Sequence, residues 1–158
     1  MRQMARVARS TLPVAALAAL TLTLSACDSP MGPIAGGKLQ GPPAVWPDDW
    51  AFSAEVENVF LETDPADPYS VTLWGVAVGS VFFIAADEPE SNWVKKIAQD
   101  PTVVLSVAGN LYPAYAEIAT DQTELNMVLA AYRDKYDLEL DGESFIERGG
   151  LVFRLSPR

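Results

Sequence analysis

Two runs rich in β-branched and aromatic residues, Tyr69–Val78 and Val81–Ala86, are separated only by Gly79-Ser80. A two-residue link with glycine first suits a hairpin turn whose twist matches the strands it joins. The pair commits the middle of the chain to an antiparallel sheet. The return run, VFFIAA, is apolar throughout, as a strand buried on both faces is. Gly109-Asn110 is a second hairpin signal, between Val103–Ala108 and Leu111–Ala119. Pro113 inside the latter run suggests an edge or a bulge. Glu55–Thr63 and Leu151–Leu155 are further strand candidates, and Asp64–Pro68 is a turn cluster.

Two helices interrupt the strands. Ser91 has the chemistry of an N-cap, with Trp93, Val94 and Ile97 on one face and Asp100-Pro101 as a stop. Asp121 with Glu124 three residues on resembles a capping box. Leu125, Val128, Leu129, Tyr132 and Tyr136 then keep helical spacing. The predicted order is β-β-β-α-β-β-α-β. It is a β-rich α+β domain, a small antiparallel barrel or half-barrel of six strands with two intervening helices.

The N-terminus has its own logic. Arg2, Arg6 and Arg9 precede an apolar stretch, Leu12–Leu24, that is short for a membrane span and reads as a signal-peptide core. Leu24-Ser25-Ala26-Cys27 resembles the lipobox of bacterial lipoproteins. That resemblance implies cleavage after residue 26, lipidation of the Cys27 sulfur and acylation of its amine. One acyl chain holds a protein only marginally, whereas two or more anchor it stably. The implied location is the periplasm-facing cell envelope. Asp28 favours inner-membrane retention. Residues 27–45, rich in proline and glycine, read as a flexible tether of roughly 20 residues spanning about 25 Å. The domain occupies 46–158, with Trp46, Trp50 and Phe52 pinning the tether to it.

Removing residues 1–26 takes away three of 11 cationic side chains and none of the 21 acidic ones, leaving a net charge of about −13. Such a chain is not built for nucleic acid or for electrostatic docking on anionic lipid. There is no histidine, and Cys27 is the lone cysteine. Ser-His-Asp and Cys-His chemistry, His/Cys zinc sites and disulfides are therefore excluded. Asp137-Leu-Glu-Leu-Asp141-Gly142 opens like a calcium loop, but Arg148 stands where that pattern needs a glutamate, so no metal is expected.

From Tyr69 to Arg158 the chain resembles the FMN-binding split β-barrel superfamily, which includes pyridoxamine 5'-phosphate oxidase and flavin- and deazaflavin-dependent reductases. The resemblance rests on YSVTLWGV, VFFIAA, SNWVKKIAQDPTVVLSV, TELNMVLAAYRDKYD and the closing FRLSPR. It implies a homodimer with FMN or a deazaflavin at the subunit interface. The ring would lie against the Tyr69–Val78 strand, at Thr72 and Trp74. The phosphate would lie at the helix start, near Ser91, Asn92 and Lys95. Flavin-holding members commonly carry arginine and lysine where this chain has Asn92 and Trp93. The signal also lacks an adjacent arginine pair, so the chain would be exported unfolded and without a cofactor. Two functions follow: flavin- or deazaflavin-dependent oxidoreduction, or a noncatalytic binding or scaffold lipoprotein with a degenerate site.

Overall fold

The computed structural model describes residues 29–139 and 142–158. Cys27, Asp28 and the signal segment lie outside the described residues. Seven strands form one antiparallel sheet: β1 Val59–Thr63, β2 Tyr69–Leu73, β3 Gly75–Val78, β4 Val81–Ala86, β5 Thr102–Val107, β6 Asn110–Ile118 and β7 Leu151–Pro157. Three α-helices accompany them: α1 Asn92–Gln99, α2 Gln122–Tyr136 and α3 Gly142–Glu147. The domain is thus β-rich α+β, but with seven strands rather than six and three helices rather than two.

The extra strand comes from a break in Tyr69–Val78 at Trp74. The order across the sheet is β2-β1-β5-β6-β7-β4-β3. Its two end strands, β2 and β3, are therefore separated in the chain by Trp74 alone. A sheet whose ends are joined by one residue must curl back on itself, and the result is a half-barrel. Gly75 lets the break close. A Cβ there would come within 2.6 Å of Phe82 Cε1.

The sheet's inner face and α1 make one core, built on Leu61, Phe82, Ile84, Trp93, Leu105 and Phe153. Its outer face packs Phe83 and Val152 against Leu125, Val128, Leu129 and Tyr132 of α2 and Phe145 of α3. Hence β4 is buried on both sides, as its apolar run implies. Each of Phe82, Phe83 and Ile84 gains about 1.5–3 kcal/mol relative to exposure. The Gly79-Ser80 turn joins Val78 to Val81 as expected. The second turn is Ala108-Gly109, both at positive φ, with Asn110 already in β6. That places it one residue earlier than the sequence suggests. Nor is β6 an edge: it pairs with β5 and β7. Pro113 is tolerated because pairing with β7 begins only at Ala114, so the missing N–H is not needed there.

The presumed tether is not a free coil. Gly36 and Ser70 exchange backbone hydrogen bonds, both 2.9 Å. Leu39 is buried, and its N–H donates to Glu62 Oε2 at 2.6 Å. Leu111 N–H donates to the Pro42 carbonyl and Ala44 N–H to the Leu111 carbonyl. Proline and glycine give this strap no internal periodicity, but their extended backbone matches the strand edges it crosses. Trp50 then locks it: it is buried against Trp46, Phe82 and Tyr112, and its indole N–H donates to the Ser80 carbonyl.

Candidate functional site

A break in a strand strands backbone polar groups, and α2 supplies their partners. Tyr132, Lys135 and Tyr136 lie three and four residues apart on one helix face. The Tyr132 hydroxyl donates to the Trp74 carbonyl at 3.0 Å. The Lys135 ammonium donates to the carbonyls of Gly75 (2.8 Å) and Ser53 (3.0 Å). Gly75 N–H donates to the Tyr136 hydroxyl at 3.0 Å. Burial pushes both tyrosine hydroxyls above their ordinary pKa, Tyr132 the further, and lowers Lys135. Tyr132 and Tyr136, read from sequence as helix spacing, act together with Lys135, which that spacing does not include, as a clamp on the bend.

Beside the clamp is a cavity of about 380 Å³. The barrel contributes Asn58, Thr72, Leu73, Trp74, Ala85 and Asp87. The helical side contributes Leu129 and Tyr132 from α2, then Leu138, Phe145 and Arg148. Thr72 Oγ1 is buried and has no hydrogen-bond partner among the described residues. Trp74 is 45% exposed and stacks on Tyr136, with centroids 4.7 Å apart and planes 14° apart. The two formally charged side chains on the wall, Asp87 and Arg148, have opposite signs. The wall is mainly apolar, from Leu73, Trp74, Ala85, Leu129, Leu138 and Phe145, with polar groups from Asn58, Asp87 and Arg148, and suits a flat ring carrying polar substituents. A larger hollow of about 740 Å³ lies by Trp50 and Lys135, but the lysine there is already bonded to the two carbonyls.

The structure thus places Thr72 and Trp74 on one wall. It does not bring Ser91, Asn92 or Lys95 to that wall. Ser91 is the N-cap of α1, but its side chain makes no cap bond, and its buried Oγ has no partner among the described residues. Asn92 is exposed on the first turn. Lys95 is exposed and pairs with Glu90 at 3.1 Å. Lys96 bonds Asp64 at 2.7 Å; that bond raises the lysine pKa and lowers the aspartate's. Three carboxylates, Asp87, Glu88 and Glu90, stand in the four residues before Ser91. Helix N–H groups remain, yet the local charge opposes a phosphate dianion. The wall fits the ring of a flavin-type cofactor. The start of α1 does not fit its phosphate.

Solved structures share this architecture at low identity. A Listeria innocua protein provisionally named as a pyridoxamine 5'-phosphate oxidase is 11% identical, with 68% of this chain and 89% of that one covered and a TM-score of 0.53. The fold is a split β-barrel. A FAD-binding protein from Mesorhizobium loti is 14% identical, with 68% and 82% covered and a TM-score of 0.51. An F420-H2 dependent reductase is 16% identical, with 64% and 95% covered and a TM-score of 0.54. At these identities the likeness is one of fold alone. No protein-family model and no curated protein sequence matches the chain.

Proposed function

We propose that this protein is a lipid-anchored, periplasm-facing split-barrel lipoprotein that binds a flat, largely apolar ring compound at the Thr72–Trp74 wall. Its role is binding rather than turnover on a phosphorylated flavin. The observation that carries this reading is Thr72, a residue of the mainly apolar wall whose buried Oγ1 has no partner among the described residues. A buried hydroxyl without a partner is costly, and a ring carbonyl or ring nitrogen would answer it. The acyl chains at Cys27 hold the domain at the envelope, and the homodimer implied by the family resemblance is its assembly. A second reading, flavin- or deazaflavin-dependent oxidoreduction, is favoured by the likeness to flavin-type reductases.

Titration of the purified full-length chain with riboflavin, FMN and a deazaflavin, followed by tryptophan fluorescence, separates the two. Riboflavin should bind with a Kd on the order of 10–100 μM, about −5 to −7 kcal/mol, and FMN no more tightly. Trp74→Ala should weaken binding about tenfold, the share of one ring-stacking contact. FMN binding more than about tenfold tighter than riboflavin would show a working phosphate site worth over 1.4 kcal/mol and shift the conclusion to the oxidoreductase. If no ring binds up to about 1 mM, weaker than about −4 kcal/mol, the cavity is not a ring site.

A further inference from the structure

The strap that leads into the barrel differs from it in charge and in what it exposes. Residues 29–47 carry a single formal charge, Lys38, whereas 20 of the 21 acidic side chains lie from Asp48 onward. Near the start of the strap, Met31-Gly32-Pro33-Ile34 closes into a tight turn. Met31 N–H donates to the Ile34 carbonyl and Ile34 N–H to the Met31 carbonyl, both at 3.0 Å. Gly32 takes the first central position at φ +56, which a side chain rarely adopts, and Pro33 has no N–H to satisfy. The N–H and C=O groups of Met31 and Ile34 are thus paired, and the Gly32 N–H and the Gly32 and Pro33 carbonyls at the tip are left for water or headgroups. The turn presents two large apolar side chains to the outside, Met31 at 64% and Ile34 at 66% exposure.

Two fixed points bracket the turn. Downstream, Gly36 is tied to Ser70 of β2 by its paired hydrogen bonds. Upstream, Cys27 is four residues from Met31, so the two are at most about 14 Å apart. We propose that the Met31–Ile34 turn is a membrane foot: it enters the interfacial zone of the bilayer beside the acyl chains and sets the barrel's orientation, with the Ser70 end of β2 toward the lipid. The proposal rests on the lipoprotein reading of Cys27 and goes beyond it. Interfacial burial favours apolar side chains on a backbone whose polar groups are paired. The charge distribution selects the same side. The acidic barrel is repelled by anionic headgroups, whereas the stretch from Cys27 to Pro47, where Lys38 offsets Asp28, is not.

The test uses the full chain carrying Ile34→Cys, processed in cells, purified, labelled with a nitroxide and reconstituted in phosphatidylethanolamine–phosphatidylglycerol vesicles. Asn126→Cys, on the exposed face of α2, is the reference. Collision rates with oxygen and with a water-soluble nickel chelate are compared, and the mass of the mature N-terminal peptide is measured on the same sample. The expected result is an acylated Cys27 peptide, with nickel accessibility at residue 34 roughly fivefold or more below that at 126 and oxygen accessibility above it, as for a side chain in the interfacial zone. An acylated chain whose residue 34 meets the chelate as freely as residue 126 overturns the foot and leaves the lipoprotein standing. Shielding of residue 34 from both reagents means that protein, not lipid, covers it, and this too overturns the proposal. An unacylated peptide removes the lipoprotein reading and the foot with it.

Discussion

At the Trp74–Gly75 bend, the carbonyls of both residues and the Gly75 amide have side-chain partners on α2. At the start of α1, the Ser91 hydroxyl is equally shut away and has no partner among the described residues. These are the ring end and the phosphate end of one expected site. The first is over-determined by packing, so it would persist whether or not a ring binds. The second depends on side chains that only a ligand would need, and here Ser91 and Asn92 carry no charge, Lys95 is paired with Glu90, and the residues before the helix are acidic. The two ends therefore differ in kind: one is a wall formed by packing, the other a helix start flanked by acidic side chains.

The largest effect should come from breaking the bend. Gly75→Ala forces a methyl group to within 2.6 and 2.9 Å of Phe82 ring atoms and 3.2 Å of Val59 Cγ2. Phe82 and Val59 have no exposed surface into which to retreat. Overpacking of this kind should cost about 3 kcal/mol and lower Tm by roughly 12–20 °C. Urea and thermal unfolding of the purified protein would measure it. A loss below about 0.5 kcal/mol would mean that the bend is looser than its packing implies.

A smaller loss is expected at Tyr132. Tyr132→Phe leaves the Trp74 carbonyl without its donor, a change worth about 1–3 kcal/mol. The hydroxyl also gives the clamp a pH signature. Its pKa is raised above 10.0 in the folded chain, chiefly by burial. Between pH 10 and that higher value the unfolded chain sheds a proton that the native chain keeps. This contribution is therefore intact below pH 10 and lost as pH rises beyond it. Tyr136 adds in the same direction. Lys135, lowered by burial, opposes them, because the native chain sheds its proton first. Unfolding free energy measured from pH 8 to 11.5 should fall above pH 10, and less steeply in Tyr132→Phe. Equal slopes in the two proteins would mean that Tyr132 titrates normally and is not held by the bend.

How much of this was legible in the sequence depended on where each signal resides. The hairpin at Gly79-Ser80, the doubly buried VFFIAA strand and the Asp121 cap of α2 rest on neighbours in sequence, and they stand. The break at Trp74 was hidden, because YSVTLWGVAV has strand-forming residues on both sides of it and only Gly75 to mark it. The strap was misread as coil because its partners, Glu62, Ser70 and Leu111, lie far along the chain. Thr72 and Trp74 fall on one cavity wall because they stand two residues apart beside the break, within a run that reads as a single strand in sequence. Tyr132 was visible only as an apolar spacing, since what its hydroxyl reaches depends on how α2 sits on the sheet. Phe145 and Arg148 come from a short helix and the turn after it, with no periodicity to announce them.

The smallest expected effect bears most directly on the phosphate end. A serine N-cap replaced by alanine usually costs about 1 kcal/mol, because a helix N–H loses its acceptor. Asp121→Ala should show that cost, since the Asp121 carboxylate accepts the Glu124 N–H at 2.8 Å. Ser91→Ala should not, because its hydroxyl caps nothing and is already desolvated. Its effect should stay within about 0.5 kcal/mol, or be slightly stabilising, as when an unmet buried polar group is removed. The two variants measured side by side in urea control for helix propensity. If Ser91→Ala costs as much as Asp121→Ala, the hydroxyl is engaged in solution and the start of α1 is a working polar site. The contrast between the two ends would then collapse, and a phosphate could be accepted there despite Asp87, Glu88 and Glu90.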